Sequence, residues 1–468
     1  MIIDPKDQKK ALFHYFFKGE MIKRFYDVSA NAIGLINSFL VITYLSVFQF
    51  GLYQLLLAFI AILESLNTGL FDSIVGVDIR RYFNVGKINF AKRLFLENAV
   101  FKIVTSIILT AVVFFGADII AQFYGEDVTL FLKIVSFLLI IRSIQALETT
   151  LFKATLTFSH WSRPAIRELS KLLLILGFLV FSKLTIFNVI TAYVVAEVIS
   201  LAVLTLFAFI KIYRKAFGIT PAHNNNLLID LIRNSGKWAL VRYGFAKATK
   251  NTMPWFIKFF INTEAVAFYS MAVNIFSLIE SLMPMQGLAE IFALKVDSKS
   301  EVSFIFKRAL KYSLWLGVLF LLGSAILVPP VIALIFPKYS PAIPIFLVIM
   351  FSMPLYGVYK MLKILLSTLR EHKILALRLI NEALIFPIGS VIFLPTLGVV
   401  GVGFIYIAAY LERVWFFYRS LIAKYPEFKI KAKNLVEFET TDKEFFVKVA
   451  RQLFLFFKLF LRRIKTAL

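Results

Sequence analysis

Hydrophobic stretches of about 20 residues recur along nearly the whole chain, and this pattern restricts the possible folds more than any other feature. An α-helix of roughly 20 apolar residues is long enough to cross the hydrocarbon core of a bilayer. Of the 468 residues, 60% are hydrophobic and only 17% are charged, which excludes an ordinary soluble domain. A membrane β-barrel would instead show shorter segments that alternate apolar and polar residues. The sequence therefore predicts an all-α, polytopic membrane protein, because helices satisfy their own backbone groups in lipid.

Charged breaks separate the apolar runs into twelve candidate membrane spans. The spans cover residues 28–49, 51–77, 95–116, 129–151, 165–182, 187–210, 238–260, 264–292, 312–336, 342–366, 374–394 and 398–418. One set of connections, such as residues 80–93 and 295–311, is rich in Lys and Arg, whereas the opposite set, such as residues 116–128, carries hardly any. By the positive-inside rule, both termini are expected in the cytoplasm. The formal net charge of +24 then reports mainly on topology and not on binding to nucleic acid.

Both ends of the chain are basic and amphipathic. Residues 1–27 mix charged and aromatic side chains without a cleavable signal peptide, and we expect them to form a cytoplasmic lead-in. Within the tail, residues 419–468, the segment 444–468 places its cations on one helical face and its apolar residues on the other. A helix of this kind lies in the membrane interface on anionic lipids.

The chain contains two similar halves. Residues 51–66 align without gaps on residues 267–282, and the alignment pairs Glu64 with Glu280. We interpret this as a repeat of six spans followed by six. The resulting domains are an N-terminal six-helix lobe (28–210), a cytoplasmic linker (211–237) and a C-terminal six-helix lobe (238–418). In transporters with parallel repeats of this kind, the substrate site lies between the halves.

The seventh span carries cations at positions where lipid exposure is unfavourable. Its segment VRYGFAKATKNTMPWF, residues 241–256, contains Arg242, Tyr243, Lys247 and Lys250 on one side of a helix. At a rise of 1.5 Å per residue, Lys247 and Lys250 lie roughly 13 to 18 Å from the cytoplasmic end of the span. Each such cation costs about 2.5 to 3.5 kcal/mol in lipid. These side chains are therefore expected to face a water-filled cavity, an anion or the membrane glutamates.

Other cations of the spans also suggest a hydrated interior. Arg142 belongs to a polar stripe on span four, and Lys23 and Arg24 lie at the cytoplasmic entrance of span one. Lys360 and Lys363 lie nearer to span ends, where such side chains snorkel to the interface. Lys and Arg are well suited to phosphate and pyrophosphate, so a cationic cavity fits an anionic headgroup. The candidate substrate-binding residues are Arg242, Tyr243, Lys247, Lys250, Arg142, Lys23 and Arg24.

Three acidic residues lie within the spans, namely Glu64, Glu197 and Glu280. Carboxylates inside a membrane either form ion pairs that hold helices together or act in gating and ion coupling. Both roles are open for these three residues.

The sequence offers no support for an enzyme. It contains no Cys, and its four His are scattered without metal-binding spacing, so we expect neither a metal nor a cofactor. A membrane glycan polymerase or transferase, one alternative, would need a sizeable loop with acidic or His catalytic groups. The connections predicted to face outward are too short for this.

Five segments resemble a known transporter family. They are VFQFGLYQLLLAFIAILESLNTGL (47–70), LFKATLTFSHWSRPAIRELSKLLLI (151–175), TEAVAFYSMAVNIFSLI (263–279), LIFPKYSPAIPIFLVI (334–349) and LGVVGVGFIYIAAYL (397–411). Over about residues 12–423, the chain is similar to the polysaccharide transporters, the oligosaccharide flippases of the multidrug/oligosaccharidyl-lipid/polysaccharide exporter superfamily. The resemblance implies two lobes in a V shape, a central cavity lined by spans one, two, seven and eight, and alternating access. Carried over by position, Arg242, Lys247 and Lys250 would be cations of that cavity.

The resemblance also implies a function, the movement of an undecaprenyl-pyrophosphate-type oligosaccharide across the cytoplasmic (inner) membrane. The expected partners are this lipid-linked substrate and anionic membrane lipids, with no nucleic acid; other glycan-assembly proteins stay open as partners. A multidrug antiporter of the same superfamily is a second alternative, and it would bind organic cations through acidic residues on its cavity helices. Span one has no acidic residue beyond Asp27 at its edge, and span seven is basic.

Overall fold

The computed structural model describes residues 5–67, 72–126, 128–155, 157–218, 226–231, 251–283, 299–369, 371–430, 435 and 437, with side chains from Phe25 onward apart from a few positions. Regular secondary structure in these residues is entirely helical. The helices are α1 (Pro5–Tyr44), α2 (Val47–Asn67), α3 (Asp72–Asn84), α4 (Ile88–Phe115), α5 (Ala117–Tyr124), α6 (Thr129–Ser136), α7 (Leu138–Ala154), α8 (Arg163–Phe181), α9 (Ile186–Leu204), α10 (Ile210–Phe217), α11 (Leu227–Leu231), α12 (described over 251–260), α13 (Thr263–Leu282), α14 (Lys299–Ile335), α15 (Ala342–Met350), α16 (Met353–Thr368), α17 (His372–Leu397) and α18 (Gly401–Lys424).

Eight segments of the described residues are long and apolar enough to cross a membrane, and the number rises to nine if the bent pair of α15 and α16 is one span. The chain is therefore a multi-pass, all-α membrane protein, as predicted. The total of twelve spans stays a prediction, because three predicted spans do not stand out separately. The helix α8 begins with several charged residues, α12 is described only in part, and α17 and α18 belong to one apolar segment, Lys373–Lys424.

Several helices end at different residues from the predicted spans. Helix α1 continues without a break through residue 27, the predicted end of the lead-in. Helix α2 is described from Val47 to Asn67, and residues 72–77 of the predicted span belong to α3. The Asn67 side chain donates to Ser143 Oγ at 2.7 Å and accepts from Thr105 Oγ1 at 2.5 Å, which anchors this part of α2 inside the lobe. Helix α18 continues to Lys424, beyond the predicted limit at residue 418.

The described helices form two groups, here called the N-lobe (residues 25–218) and the C-lobe (residues 251–430). In the N-lobe, α8 packs against α1 and α9, and α4 packs against α7; in the C-lobe, α14 packs against α16, and α17 against α18. The contact between α14 and α16 is close, because a Cβ on Gly357 would lie 2.5 Å from the carbonyl oxygen of Ser313. Small residues at such contacts let helix backbones approach and gain van der Waals energy in a membrane.

The two lobes meet at the end of the membrane that the distribution of Lys and Arg predicts to be outward. Helix α2 packs against α13, and a Cβ on Gly51 would lie only 2.1 Å from the carbonyl oxygen of Thr263. Lys338 Nζ donates to the carbonyl oxygens of Thr43, at 2.9 Å, and Leu45, at 2.6 Å. These contacts join the start of α13 to the start of α2, and the turn after α14 to the connection between α1 and α2.

An aromatic cluster adds to this contact between the lobes. The ring of Trp255 lies 4.5 Å from the ring of Tyr124, and Lys258 Nζ donates to the Tyr124 carbonyl oxygen. The hydrogen bonds that join described residues of the two lobes all lie at this end. The outer seal, as we name it, consists of Thr43, Leu45, Gly51, Tyr124, Trp255, Lys258, Thr263 and Lys338. Among the described residues, the two lobes are thus in contact at the outward end.

The stability of the fold is expected to depend on pH through His160, which lies in the 3₁₀ turn before α8. Burial, helped by nearby cations, lowers the pKa of His160 to about 4 although its ring also contacts the Thr157 carbonyl oxygen. An unfolded His has a pKa near 6.5, so the unfolded state takes up a proton first as the pH falls from 6.5 toward 4. The folded state therefore loses stability through His160 in this pH range and keeps it in full above pH 6.5. Thermal unfolding in detergent should therefore show a smaller decrease in Tm between pH 7 and pH 4 for His160→Gln than for the unaltered protein. Equal decreases would show that His160 does not contribute.

Candidate substrate site

The predicted site residues fall into two groups in the structure. Outside the described side chains lie Arg242, Tyr243, Lys247, Lys250, Lys23 and Arg24, the last two on the described backbone of α1. Their predicted roles stay predictions. Arg142, Glu64 and Glu197 come together in the N-lobe, whereas Glu280 lies apart from them in the C-lobe.

Arg142 of α7 is the centre of a buried network of charges. Its Nη1 lies 2.6 Å from Glu64 Oε2 on α2, and its Nη2 lies 3.5 Å from Glu197 Oε1 on α9. The same guanidinium donates to the hydroxyl of Tyr193, and Gln145 donates to Glu197 Oε2 at 3.0 Å. Each of the two glutamates thus has a cationic partner from a different helix.

Helix α8 extends the network toward α1. Arg167 Nη1 lies 3.5 Å from Glu197 Oε1, and its Nη2 lies 3.0 Å from Glu168 Oε1. Asn37 of α1 donates to the other oxygen of Glu168 at 2.9 Å. Five helices of the N-lobe are therefore tied together through charged and polar side chains.

The charges of this N-lobe network balance. Its cations are Arg142, Arg163, Arg167 and Lys171, and its carboxylates are Glu64, Glu148, Glu168 and Glu197. Arg163 pairs with Glu148, and Lys171 lies near Glu168 with its Nζ 5.5 Å from the centroid of the Tyr193 ring. With four charges of each sign, the network has no surplus positive charge to offer an anion. Its geometry suits helix association.

Replacing Arg142 by Gln is expected to destabilise the N-lobe, because Glu64 and Glu197 lose the cation that they share. Removal of one partner from a buried ion pair typically costs about 3 to 5 kcal/mol. The Arg142 side chain is 17% exposed, so we expect the lower end of that range. The Tm of the purified protein in detergent should fall by several degrees, whereas Lys183→Gln at an exposed position should leave it unchanged. A wild-type Tm for Arg142→Gln would contradict the structural role of the network.

The C-lobe contains a cavity of about 360 Å³ between α13, α16, α17 and α18, which we call the C-lobe cavity. This volume lies in the usual range for small-molecule sites, about 300 to 1,000 Å³. Helix α16 runs from the cavity into the connection 369–373, which is predicted to be cytoplasmic, so the cavity belongs to the cytoplasmic half of the lobe. Its charged lining residues are Glu280, Lys360, Lys363, Arg378, Glu382 and Arg413.

Two arginines of the cavity wall share one carboxylate. Arg378 and Arg413 both form ion pairs with Glu382. Arg378 Nη1 donates to the hydroxyl of Tyr359 at 3.0 Å, and Arg413 Cζ lies 4.4 Å from the centroid of the Tyr410 ring. The Nε–H groups of both arginines are buried and have no acceptor among the protein atoms. Within the cavity lining, one carboxylate thus faces two guanidinium groups, and the carboxylate of Glu412 lies near Arg378 outside the lining.

Two lysines add further positive charge from α16. The Nζ atom of Lys360 lies 5.1 Å from the centroid of the Tyr356 ring, and that of Lys363 lies 6.0 Å from the centroid of the Tyr359 ring. Within the part of the chain that the structure describes, neither lysine has a carboxylate within ion-pair distance. Glu280 faces the Tyr356 hydroxyl and has no cation within that distance either. The lining as a whole carries four cations and two carboxylates.

Sequence reasoning did not single out Arg378, Glu382 or Arg413. A signal was present, because all three lie inside predicted spans and Arg378 and Glu382 have the i,i+4 spacing of an ion pair on one helix face. Lys360 and Lys363, for which snorkelling was expected, line the cavity, although Lys363 keeps an exposed side chain. Gating or ion coupling by the membrane glutamates stays a prediction.

Several solved structures of membrane transporters resemble this chain. The lipid II flippase MurJ in an inward closed conformation matches with a TM-score of 0.72 and 13% identity, over 89% of each chain. An inward-facing multidrug resistance transporter of the MATE family, in the MOP superfamily, matches with a TM-score of 0.68 and 12% identity, over 86% of this chain and 95% of that one. The MATE multidrug transporter DinF-BH, solved as a complex, matches with a TM-score of 0.61 and 14% identity, over 88% and 97%.

No protein-family model matches the chain, and no curated protein sequence does. At identities of 12 to 14%, the likeness to solved structures shows the fold alone. By their titles, these neighbours are transporters. The chain accordingly shares the fold of these transporters.

Proposed function

We propose that this protein is a flippase that moves a lipid-linked, anionic oligosaccharide from the cytoplasmic to the outer leaflet, with a carrier of the undecaprenyl-pyrophosphate type. The surplus of positive charge in the C-lobe cavity carries the proposal. Four cations face two carboxylates there, whereas the charges of the N-lobe network balance. Lys and Arg bind phosphate oxygens through charge-assisted hydrogen bonds, so the surplus favours a phosphate-bearing headgroup.

The fold neighbours support a lipid-linked substrate. MurJ is by its name a lipid II flippase, and its chain superposes on this one over most of the length. The MATE neighbours support the alternative, an antiporter of organic cations. A surplus of positive charge opposes the binding of a cation, and on this ground we prefer the flippase.

The residues predicted on span seven would strengthen the same preference. Arg242, Lys247 and Lys250 would add cations to the cavity between the lobes, and Tyr243 would add a hydroxyl. For Arg142 we propose a structural role instead of substrate binding, because Glu64 and Glu197 already engage its guanidinium.

The membrane potential favours the proposed direction of transport. A pyrophosphate-linked headgroup with about two negative charges gains roughly 4.6 kcal/mol on moving outward across an inside-negative potential of 100 mV. Export of such a substrate is then electrically downhill.

Transport in proteoliposomes tests the proposal. A fluorescent oligosaccharide on a short prenyl pyrophosphate should move between leaflets faster with the protein than without it, as read by a quencher that reaches only the outer leaflet. The double variant Lys360→Gln, Lys363→Gln should reduce this rate at least tenfold, because each charge-assisted contact contributes about 1.5 to 3 kcal/mol. Lys429→Gln, an exposed position outside the cavity, should leave the rate unchanged.

The same vesicles separate the two transporter classes. Uptake of an organic cation such as a cationic rhodamine dye, with no movement of the prenyl-linked sugar, would replace the flippase by the antiporter. Full activity of the Lys247→Ala, Lys250→Ala double variant would remove span seven from the substrate site.

A further inference from the structure

We propose that the C-lobe cavity itself binds the sugar phosphate at the base of the lipid-linked glycan, so that one lobe holds the headgroup through its sugar as well as its phosphate. This inference rests on the proposed function and deepens it, because it names the part of the substrate that is recognised and the place where it binds. The juxtaposition of surplus cations, aromatic rings and a carboxylate without a described cationic partner, Glu280, in one cavity carries it.

The cations of the cavity provide the phosphate subsite. Lys360 and Lys363 contact tyrosine rings, and within the described residues they form no ion pair. Arg378 and Arg413 line the same space but are 4% and 9% exposed and both pair with Glu382, so they add mainly positive potential to the site. Phosphate oxygens are acceptors of the right charge for the two lysines in this potential.

The remaining walls of the cavity suit a sugar ring. Aromatic residues from four helices line the space, including Phe276, Tyr356, Phe386 and Tyr410. Sugars present apolar C–H faces, which pack on aromatic rings, and hydroxyl groups, which need polar partners. Tyrosine supplies an apolar ring face together with a hydroxyl group.

Glu280 distinguishes a sugar phosphate from a simple anion. It lines the same cavity, faces Tyr356 and has no described cationic partner. A carboxylate repels inorganic phosphate, but it accepts hydrogen bonds from sugar hydroxyl groups. A site for inorganic phosphate alone would have no use for this residue.

The size of the cavity limits what it can hold. A volume of about 360 Å³ lies near the lower end of the range for ligand pockets, about 300 to 1,000 Å³. We therefore place the sugar next to the phosphate inside the cavity and the outer sugars and the prenyl chain outside it. Recognition would then depend on the first sugar and not on the length of the glycan.

Binding to the purified full-length protein tests the inference without any transport. Isothermal titration in detergent should show that N-acetylglucosamine 1-phosphate binds at least tenfold more tightly than inorganic pyrophosphate or N-acetylglucosamine alone. The Lys360→Gln, Lys363→Gln variant should weaken this binding at least tenfold, and Lys429→Gln should not change it. The same sugar phosphate with a short prenyl tail should bind more tightly still, which identifies a lipid headgroup and not a free sugar phosphate as the ligand.

Two results would overturn the proposal. Equal affinity for pyrophosphate and for the sugar phosphate would reduce the cavity to an unspecific anion site, and binding that the lysine substitutions do not alter would place the site elsewhere. Transport of the prenyl-linked sugar in proteoliposomes is measured separately, so either result would remove the proposed site without removing the flippase function. Conversely, tight binding without transport would remove the flippase function and keep the site.

Discussion

Replacing Gly51 by Ala is expected to weaken the outer seal and to raise the outward-accessible fraction of the protein about 5- to 150-fold. The added Cβ would lie 2.1 Å from the carbonyl oxygen of Thr263, whereas real Cβ contacts essentially never fall below 3.0 Å. The backbones of α2 and α13 must therefore separate. Overpacking of this kind costs typically 1 to 3 kcal/mol, about 5- to 150-fold in an equilibrium constant.

A single cysteine can report this change, because the chain contains none of its own. Thr263→Cys places a thiol in the seal at a position that is 5% exposed. A maleimide that does not cross membranes, added from outside, should label this thiol faster when Gly51 is Ala. Gly177→Ala is the matched control, since a Cβ at Gly177 meets no atom within 4 Å. Labelling at the unaltered rate in Gly51→Ala would show that the two helices do not form the seal.

Replacing Lys338 by Met is expected to shift the same equilibrium outward by about 10- to 150-fold. Lys338 donates to Thr43 and Leu45 of the other lobe, and a hydrogen bond with a charged group contributes about 1.5 to 3 kcal/mol. Methionine keeps most of the length of the side chain but has no donor. Depopulation of the inward-facing state lowers the apparent affinity for a cytoplasmic substrate by the fraction that is lost.

A second substitution at the same residue, Lys338→Arg, is the control for Lys338→Met. Lys338→Arg keeps the charge and the donors, so its thiol labelling and its apparent substrate affinity should stay close to those of the unaltered protein. Similar labelling in Lys338→Met and Lys338→Arg would mean that the hydrogen bonds across the lobes contribute nothing to closure.

The fold class could be predicted from the sequence because the thickness of the bilayer sets the length of apolar helices. The internal repeat stays a prediction, and the structure places Glu64 and Glu280 each at the eighteenth residue of its helix, α2 and α13. Contacts between helices were less predictable. Asn67 of α2 has polar partners on α4 and α7, and hydropathy along the chain contains no information on such partners.

The candidate site could be predicted from the sequence only in part, because hydropathy does not show which side chains meet across helices. The sequence shows that Arg142, Glu64 and Glu197 lie in spans, but it does not show that they neutralise one another across α2, α7 and α9. It likewise does not show that Arg378 and Arg413 converge on Glu382. Charge balance depends on which helices are neighbours, and this balance separates a structural network from a binding site.

The two lobes differ in how their charged side chains are paired. The N-lobe network pairs its charges internally, while the C-lobe cavity has two lysines without an ion-pair partner among the described residues. Substrate binding would then be concentrated in one lobe, and the N-lobe would serve as the rigid partner against which the C-lobe moves. The cations predicted on span seven belong to the same half of the chain as the cavity.

The location of lipid-linked glycan in cells that lack this protein tests the proposed function most directly. Depletion of the protein in its native cells, followed by treatment of spheroplasts and of inside-out vesicles with a glycosidase that does not cross membranes, measures how much glycan lies in each leaflet. Accumulation in the cytoplasmic leaflet, reversed by the unaltered protein and not by the Lys360→Gln, Lys363→Gln variant, is the expected result. An unchanged distribution between the leaflets after depletion would contradict the flippase function.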